Sequence, residues 1–172
     1  RGSCGLHGTK EGCAEGDCGA CTVMLGESDG KGGISYTAVD SCLMFVPMLH
    51  GKQLVTVEDL ADEGSLHPVQ QAMVECNGSQ CGYCTPGIVM SLVNLVQKND
   101  SPTRLQITDS LSGNLCRCTG YKPIIDSAHK ACQHKTRLTL QDSADTPLLK
   151  DIARAKTPTV TLDGEILVQP VL

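Results

Sequence analysis

The sequence predicts an α+β chain: a small sheet first, a set of short helices second. Three observations carry this. Strand-like segments separated by turn residues occupy the first sixty positions. From about residue 63 the apolar residues recur at helical spacing. From about residue 136 both patterns weaken. The expected divisions are therefore 1–62, 63–135 and 136–172, the last reading as a linker followed by the start of a further unit.

"CTVMLGE" at 21–27 reads as a strand, "GESDGKGG" as a turn-rich loop and "ISYTAVD" as the returning strand. "SCLMFVPMLHG" is expected to be a short helical or irregular turn, and "KQLVTVEDL" a further strand. In "SLHPVQQAMVECNG", Pro68 sits near a helix start, with Val69, Ala72, Met73 and Cys76 on one face. Cys76 is expected to pack as a small buried thiol. Helical segments follow at 86–98, 103–112 and 121–133, with Thr85 as the expected N-cap of the first and Pro86 at its first helical position. Four short helices suggest a compact bundle. Near the end, "TVTLDGEILVQ" carries a hairpin signal at Asp163-Gly164.

Composition narrows the function. Aromatic residues make up 2% of the 172 and Trp is absent, so cohesion needs a source other than large side chains. Eleven cysteines are the candidates. The formal net charge is −5 with acids and bases interspersed, which gives no footprint for nucleic acid. No apolar run approaches the length of a membrane span. An odd cysteine count with no extracellular framework argues against an all-disulfide scaffold, and a cytoplasmic location is expected. Both ends read as interior sequence, so the chain is expected to be a piece of a longer polypeptide.

Cysteine spacing points to the chemistry. Cys13, Cys18 and Cys21 form C-x4-C-x2-C, and Cys42 follows at a distance. This is the plant-type [2Fe–2S] pattern, whereas structural zinc favours two short knuckles. The second set is Cys81-x2-Cys84 with Cys116-x-Cys118, which in isolation also suits a four-cysteine zinc site. Each pair of this set precedes a helix pattern, and free N–H groups at a helix start favour an anionic cluster. Cys4, Cys76 and Cys132 remain outside both sets. His7, His50, His67, His129 and His134 lack Rieske spacing and are read as surface or packing residues. In "EGCAEGDCGAC", Gly12, Gly16 and Gly19 are expected to adopt positive φ, with amides facing a cluster and Glu11, Glu15 and Asp17 facing outward.

"GTKEGCAEGDCGACTV", "LHPVQQAMVECNGSQCGYCTPGIVMSL" and "SGNLCRCTGY" together resemble the iron–sulfur portion of the xanthine dehydrogenases and their molybdenum hydroxylase relatives, over roughly residues 5 to 133. The resemblance implies a β-grasp plant-type ferredoxin domain, here lacking its first hairpin and most of its helix, followed by a four-helix-bundle [2Fe–2S] domain. With the open edge and face that this leaves, the fragment as a whole is expected to be poorly stable alone. The resemblance implies that Cys13, Cys18, Cys21 and Cys42 hold one cluster on the flavin side. Cys81, Cys84, Cys116 and Cys118 hold the other on the molybdenum side, and Gln80 and Cys118 approach the molybdopterin. The implied role is electron transfer, one electron at a time, from a molybdenum-pterin centre to FAD during purine hydroxylation. No catalytic residue is expected on this chain. The implied partners are a molybdenum-binding large subunit and an FAD domain fused downstream. A small iron–sulfur subunit of an aldehyde oxidoreductase or carbon monoxide dehydrogenase type stays open, as do a stand-alone ferredoxin-like carrier and a zinc-stabilised interaction module.

Overall fold

The computed structural model describes residues 5–61, 64–133 and 147–152 and the strand residues 160–162 and 165–168. A three-stranded antiparallel sheet in the order β2-β1-β3 is built from β1 (Thr22–Ser28), β2 (Ile34–Asp40) and β3 (Gln53–Val55). β1 is the central strand and is buried on both faces from Thr22 to Gly26. Its register pairs Thr22 with Asp40 and Met24 with Ala38 on one side, and Met24 with Val55 on the other. The loop from Asp29 to Gly33 is tied by the Asp29 carboxylate, which accepts from the amides of Lys31 at 2.7 Å and Gly33 at 2.9 Å. Those amide bonds hold the carboxyl of Asp29 below its ordinary pKa.

The expected strand "KQLVTVEDL" is shorter than its sequence pattern. After Val55 the chain leaves the sheet because Asp59 caps Thr56: its carboxylate accepts from the Thr56 amide at 2.7 Å and the Thr56 hydroxyl at 3.0 Å. A 3₁₀ turn at Val57–Leu60 results. "SCLMFVPMLHG" forms two such turns, Ser41–Leu43 and Val46–Leu49.

Four helices follow: α1 (Pro68–Glu75), α2 (Thr85–Lys98), α3 (Arg104–Ser110) and α4 (Lys122–Gln133). α2 is buried almost all round and touches β1, α1, α3 and α4. A continuous apolar core runs from Met24, Tyr36 and Val55 of the sheet through Ile88, Met90 and Leu92 of α2 to Ile107 and Ile124. The missing aromatic bulk is thus replaced by a central helix that buries methyl and methylene groups on every side. Among the described residues, no helix is long and apolar enough to cross a membrane. β4 (Val160–Leu162) and β5 (Glu165–Val168) pair antiparallel, as the hairpin signal expects, while the turn residues 163 and 164 lie outside the described residues.

Three helix-end expectations change. Thr85 is the first residue of α2, not its N-cap; Cys84 holds that position, and its carbonyl accepts from Ile88 N at 3.1 Å. The Thr85 hydroxyl bonds that of Ser79 instead, at 2.7 Å. Cys76 is half-buried and closes the C-terminus of α1, its amide donating to Ala72 O at 2.9 Å. α4 begins at Lys122, separated from Cys118 by a turn in which Thr119 Oγ1 accepts from Tyr121 N at 3.2 Å.

His67 is more than a packing residue. Its Nδ1 accepts from Val69 N at 3.1 Å, and its own amide donates to Gln70 Oε1 at 2.9 Å, so it serves as the N-cap of α1 in a reciprocal pair. It is buried, and burial pushes its pKa down from 6.5 to about 4. The unfolded chain therefore takes up a proton first as pH falls. The stabilisation is present above pH 6.5 and is lost as pH falls to about 4, on the order of 3 kcal/mol in all at 1.36 kcal/mol per pH unit. His67→Asn keeps a capping side chain and removes the titration. Unfolding measured from pH 7 down to 4.5 should fall more steeply for the native chain than for the variant; equal slopes would contradict the assignment.

Candidate metal centres

The first cysteine set lies on the loop that leads into β1. Cys13, Cys18 and Cys42 are half-buried and Cys21 is buried. The backbone amides of Glu15 and Asp17 donate to Cys13 Sγ at 3.5 and 3.3 Å, while the side chains of Glu11, Glu15 and Asp17 stay exposed. Amides face in and carboxylates face out, as the loop sequence predicts. Those amides lower the Cys13 thiol from 9.0 to about 7. Burial, with the nearby Asp40 carboxylate adding to it, pushes the Cys21 thiol up to about 11. Cys13 meets the thiol of Cys18, and Cys21 meets that of Cys42.

The glycine reading is corrected in part. Gly16 and Gly19 have φ of 76° and 67°, but Gly12 does not enter the left-handed region; Ala14, with φ of 57°, does. Gly12 is required for a different reason, since a Cβ there would stand 2.9 Å from Cys18 Sγ. The missing side chain leaves room at the sulfur.

The second set divides the same way. Cys81 meets Cys118, and Cys84 meets Cys116. The Tyr83 amide lowers the thiol of Cys81, whereas burial pushes that of Cys84 up to about 12. Burial opposes ionisation of Cys116, but the Thr119 hydroxyl at 3.2 Å from its Sγ brings the thiol below its ordinary value. Tyr121 braces the loop: its hydroxyl donates to Asn114 O at 3.0 Å and accepts from Cys116 N at 2.8 Å. Gln80, Cys81 and Cys118 are all exposed, and the Gln80 side chain hydrogen-bonds to no described residue.

Thiol hydrogen bonds link the cysteines in twos, and in the second set Cys81 and Cys118 also feel Cys116, and Cys84 also feels Cys81. A tetrahedral zinc needs four donors around one centre, whereas each iron of a four-cysteine [2Fe–2S] cluster takes two thiolates. Paired thiols, amides aimed at sulfur and a glycine clearing space beside it fit the larger group.

The two loops are joined. Leu115 N donates to Cys18 O at 2.9 Å, and Tyr83 Oη donates to Glu11 O at 2.5 Å. Asn114 is buried at the seam: its Nδ2 donates to Gly19 O at 3.0 Å and Thr22 Oγ1 at 3.1 Å, and its Oδ1 accepts from Ser91 Oγ at 2.6 Å. Gly87 of α2 lets the loop in, because a Cβ there would stand 2.0 Å from Gly19 O. Asn114 and Tyr83 were not legible as site residues, since their partners Gly19 and Glu11 lie far off in sequence; Tyr121 acts locally, and no spacing rule marks a tyrosine as a loop brace.

Residues 56–129 match the family model described as a [2Fe-2S] binding domain. The chain is 52% identical over 127 residues to a xanthine dehydrogenase of Blastobotrys adeninivorans, covering 73% of this chain and 9% of that protein. It is 46% identical over 133 residues to aldehyde oxidase 3 of Mus musculus, covering 76% and 10%. Among solved structures it matches quinoline 2-oxidoreductase from Pseudomonas putida 86 with a TM-score of 0.67 and 34% identity, over 76% of each chain. Aldehyde oxidoreductase from Desulfovibrio gigas matches with a TM-score of 0.67 and 38% identity, over 76% of this chain and 14% of that one. The chain belongs to the iron–sulfur subunits and domains of the molybdenum hydroxylase family. It spans about a tenth of the length of the curated relatives it matches.

Replacing Asn114 with Ala strands the buried Ser91 hydroxyl and removes the Asn114 donor from Gly19 O and Thr22 Oγ1 at the seam. The unfolding free energy in denaturant should drop by about 2–4 kcal/mol. A loss below about 1 kcal/mol would show that the seam does not depend on this amide.

Proposed function

We propose that this chain is the two-cluster electron-transfer module of a molybdenum-dependent hydroxylase, moving electrons singly from a molybdenum-pterin centre to FAD. The observation that carries the reading is that the fold brings eight cysteines from four chain segments into two sets of interacting thiols, with the Cys13–Cys21 and Cys116–Cys118 loops joined by the Cys18–Leu115 hydrogen bond. In this reading Cys13 and Cys18 hold one iron of the first cluster, and Cys21 and Cys42 the other. Cys81 with Cys118, and Cys84 with Cys116, do the same for the second. Each cluster, when bound, supplies a one-electron carrier. The chain's own residues supply the rest. The amides of Glu15 and Asp17 offset charge on Cys13, Thr119 bonds Cys116, and the seam fixes the separation of the two loops.

The exposed Gln80 and Cys118 form the face offered to a molybdopterin on a molybdenum-binding large subunit, with Gln80 free to hydrogen-bond to it. An FAD domain, fused downstream, takes the electrons from the first cluster. The xanthine dehydrogenase likeness, at 52% identity, supports a purine-hydroxylating enzyme. The aldehyde oxidase likeness, at 46%, keeps an aldehyde-oxidising enzyme as the second reading. The fold is read as a β-grasp plant-type ferredoxin unit over 1–62, a helical cluster-binding unit over 63–135 and a connection at 136–172.

Metal and sulfide analysis tests this. The purified protein should be red-brown, with about four irons and about four acid-labile sulfides per chain. Cys42→Ala and Cys84→Ala should each remove about half of both, from different clusters. A colourless zinc protein, or one with a single cluster, would overturn the reading.

A further inference from the structure

We propose that Asp40 sets the reduction potential of the first cluster, its carboxylate charge disfavouring the added electron. This rests on the ligand reading above. Asp40 closes β2 opposite Thr22, so the register places it beside the residue that follows Cys21 and two residues before Cys42. Its Oδ1 lies 3.8 Å from Cys21 Sγ. Cys21 is 3% exposed and Asp40 is half-buried, so solvent screens the charge only in part on its way to the sulfur.

Neither capping nor pairing accounts for this carboxylate. Asp is a favoured N-cap, and Asp40 occupies the N-cap position of the Ser41–Leu43 turn, yet its side chain makes no capping hydrogen bond. It takes part in no salt bridge among the described residues, where the three present are Lys52–Glu27, Lys122–Asp126 and Lys130–Glu75. The Thr22 hydroxyl is 3.4 Å away, but its proton is committed to Gly19 O at 2.7 Å. It also lines a polar cleft of about 250 Å³, which it shares with the neutral side chains of Ser91, Asn94 and Asn114. An unneutralised carboxylate is thus held against a buried cluster ligand.

The affected step is uptake of one electron by an oxidised cluster, in which two ferric ions become one ferric and one ferrous with no bond made or broken. The electron comes from the molybdenum-pterin centre through the second cluster, and the acceptor is FAD. The negative charge at Asp40 raises the free energy of the reduced state more than that of the oxidised state. Removing it should move the reduction equilibrium about tenfold toward the reduced form, about 59 mV for one electron.

The test is a dithionite redox titration of the holoenzyme followed by electron paramagnetic resonance. The signal lost in Cys42→Ala identifies the first cluster. Asp40→Asn and Asp40→Ser should both raise its midpoint, while Asp40→Glu, which keeps the charge, should stay near the native value. Asp109→Asn, a loss of the same charge at an exposed site on α3, should leave it unmoved. A midpoint unchanged in both neutral variants, or one shifted as far in Asp40→Glu, would overturn the proposal. If Cys42→Ala abolishes neither signal, the ligand reading fails and the role of Asp40 falls with it.

Discussion

The close approach of the Gly19 carbonyl to α2 is the constraint on which the rest of the structure depends. Gly19 takes positive φ at the turn before β1, and its oxygen lies where a side chain on residue 87 would stand. Glycine inside a helix costs about 1 kcal/mol relative to alanine. At Gly87 that cost is offset by what the approach permits: Gly19 O accepts from both Thr22 Oγ1 and Asn114 Nδ2, and the cysteine loop is fastened to the helical half. The same seam places Leu115 N on Cys18 O, one residue from Cys116.

From this seam both cysteine loops take their positions. The loop of Cys13, Cys18 and Cys21 is short of side chains and rich in backbone donors, which suits an anionic group in a confined space. The loop of Cys116 and Cys118 is braced by the Tyr121 hydroxyl on one side and Thr119 on the other. Packing and site geometry are therefore one problem here. The apolar core that includes Met24 and Ile88 holds the elements, and the buried amide of Asn114 fixes their register.

Much of this was legible in the sequence. "ISYTAVD" is β2 residue for residue, because alternation and flanking turn residues marked both of its ends. The eight candidate ligands are marked out by spacing, and the fold brings each set of four together. What was not legible depends on contacts between distant segments. Asn114 in "SGNLC" looks like a loop residue, and only the fold brings it to Gly19. His67 was hidden by its type, although Gln70 three residues later carried the reciprocal-cap signal. The loop pattern casts Gly12 as a backbone requirement, whereas its constraint is the sulfur of Cys18 beside it. Strand length at "KQLVTVEDL" was overestimated because Thr56 and Asp59 form a capping turn that outcompetes the ladder.

The central claim is that two cysteine sets on one rigid seam carry electrons between them. Low-temperature electron paramagnetic resonance of the fully reduced protein measures this directly. Two distinct signals, each split or broadened by the other through magnetic coupling, are predicted from loops joined directly by the hydrogen bonds of Leu115 to Cys18, Tyr83 to Glu11 and Asn114 to Gly19. A single signal, or two that show no mutual interaction, would contradict the account.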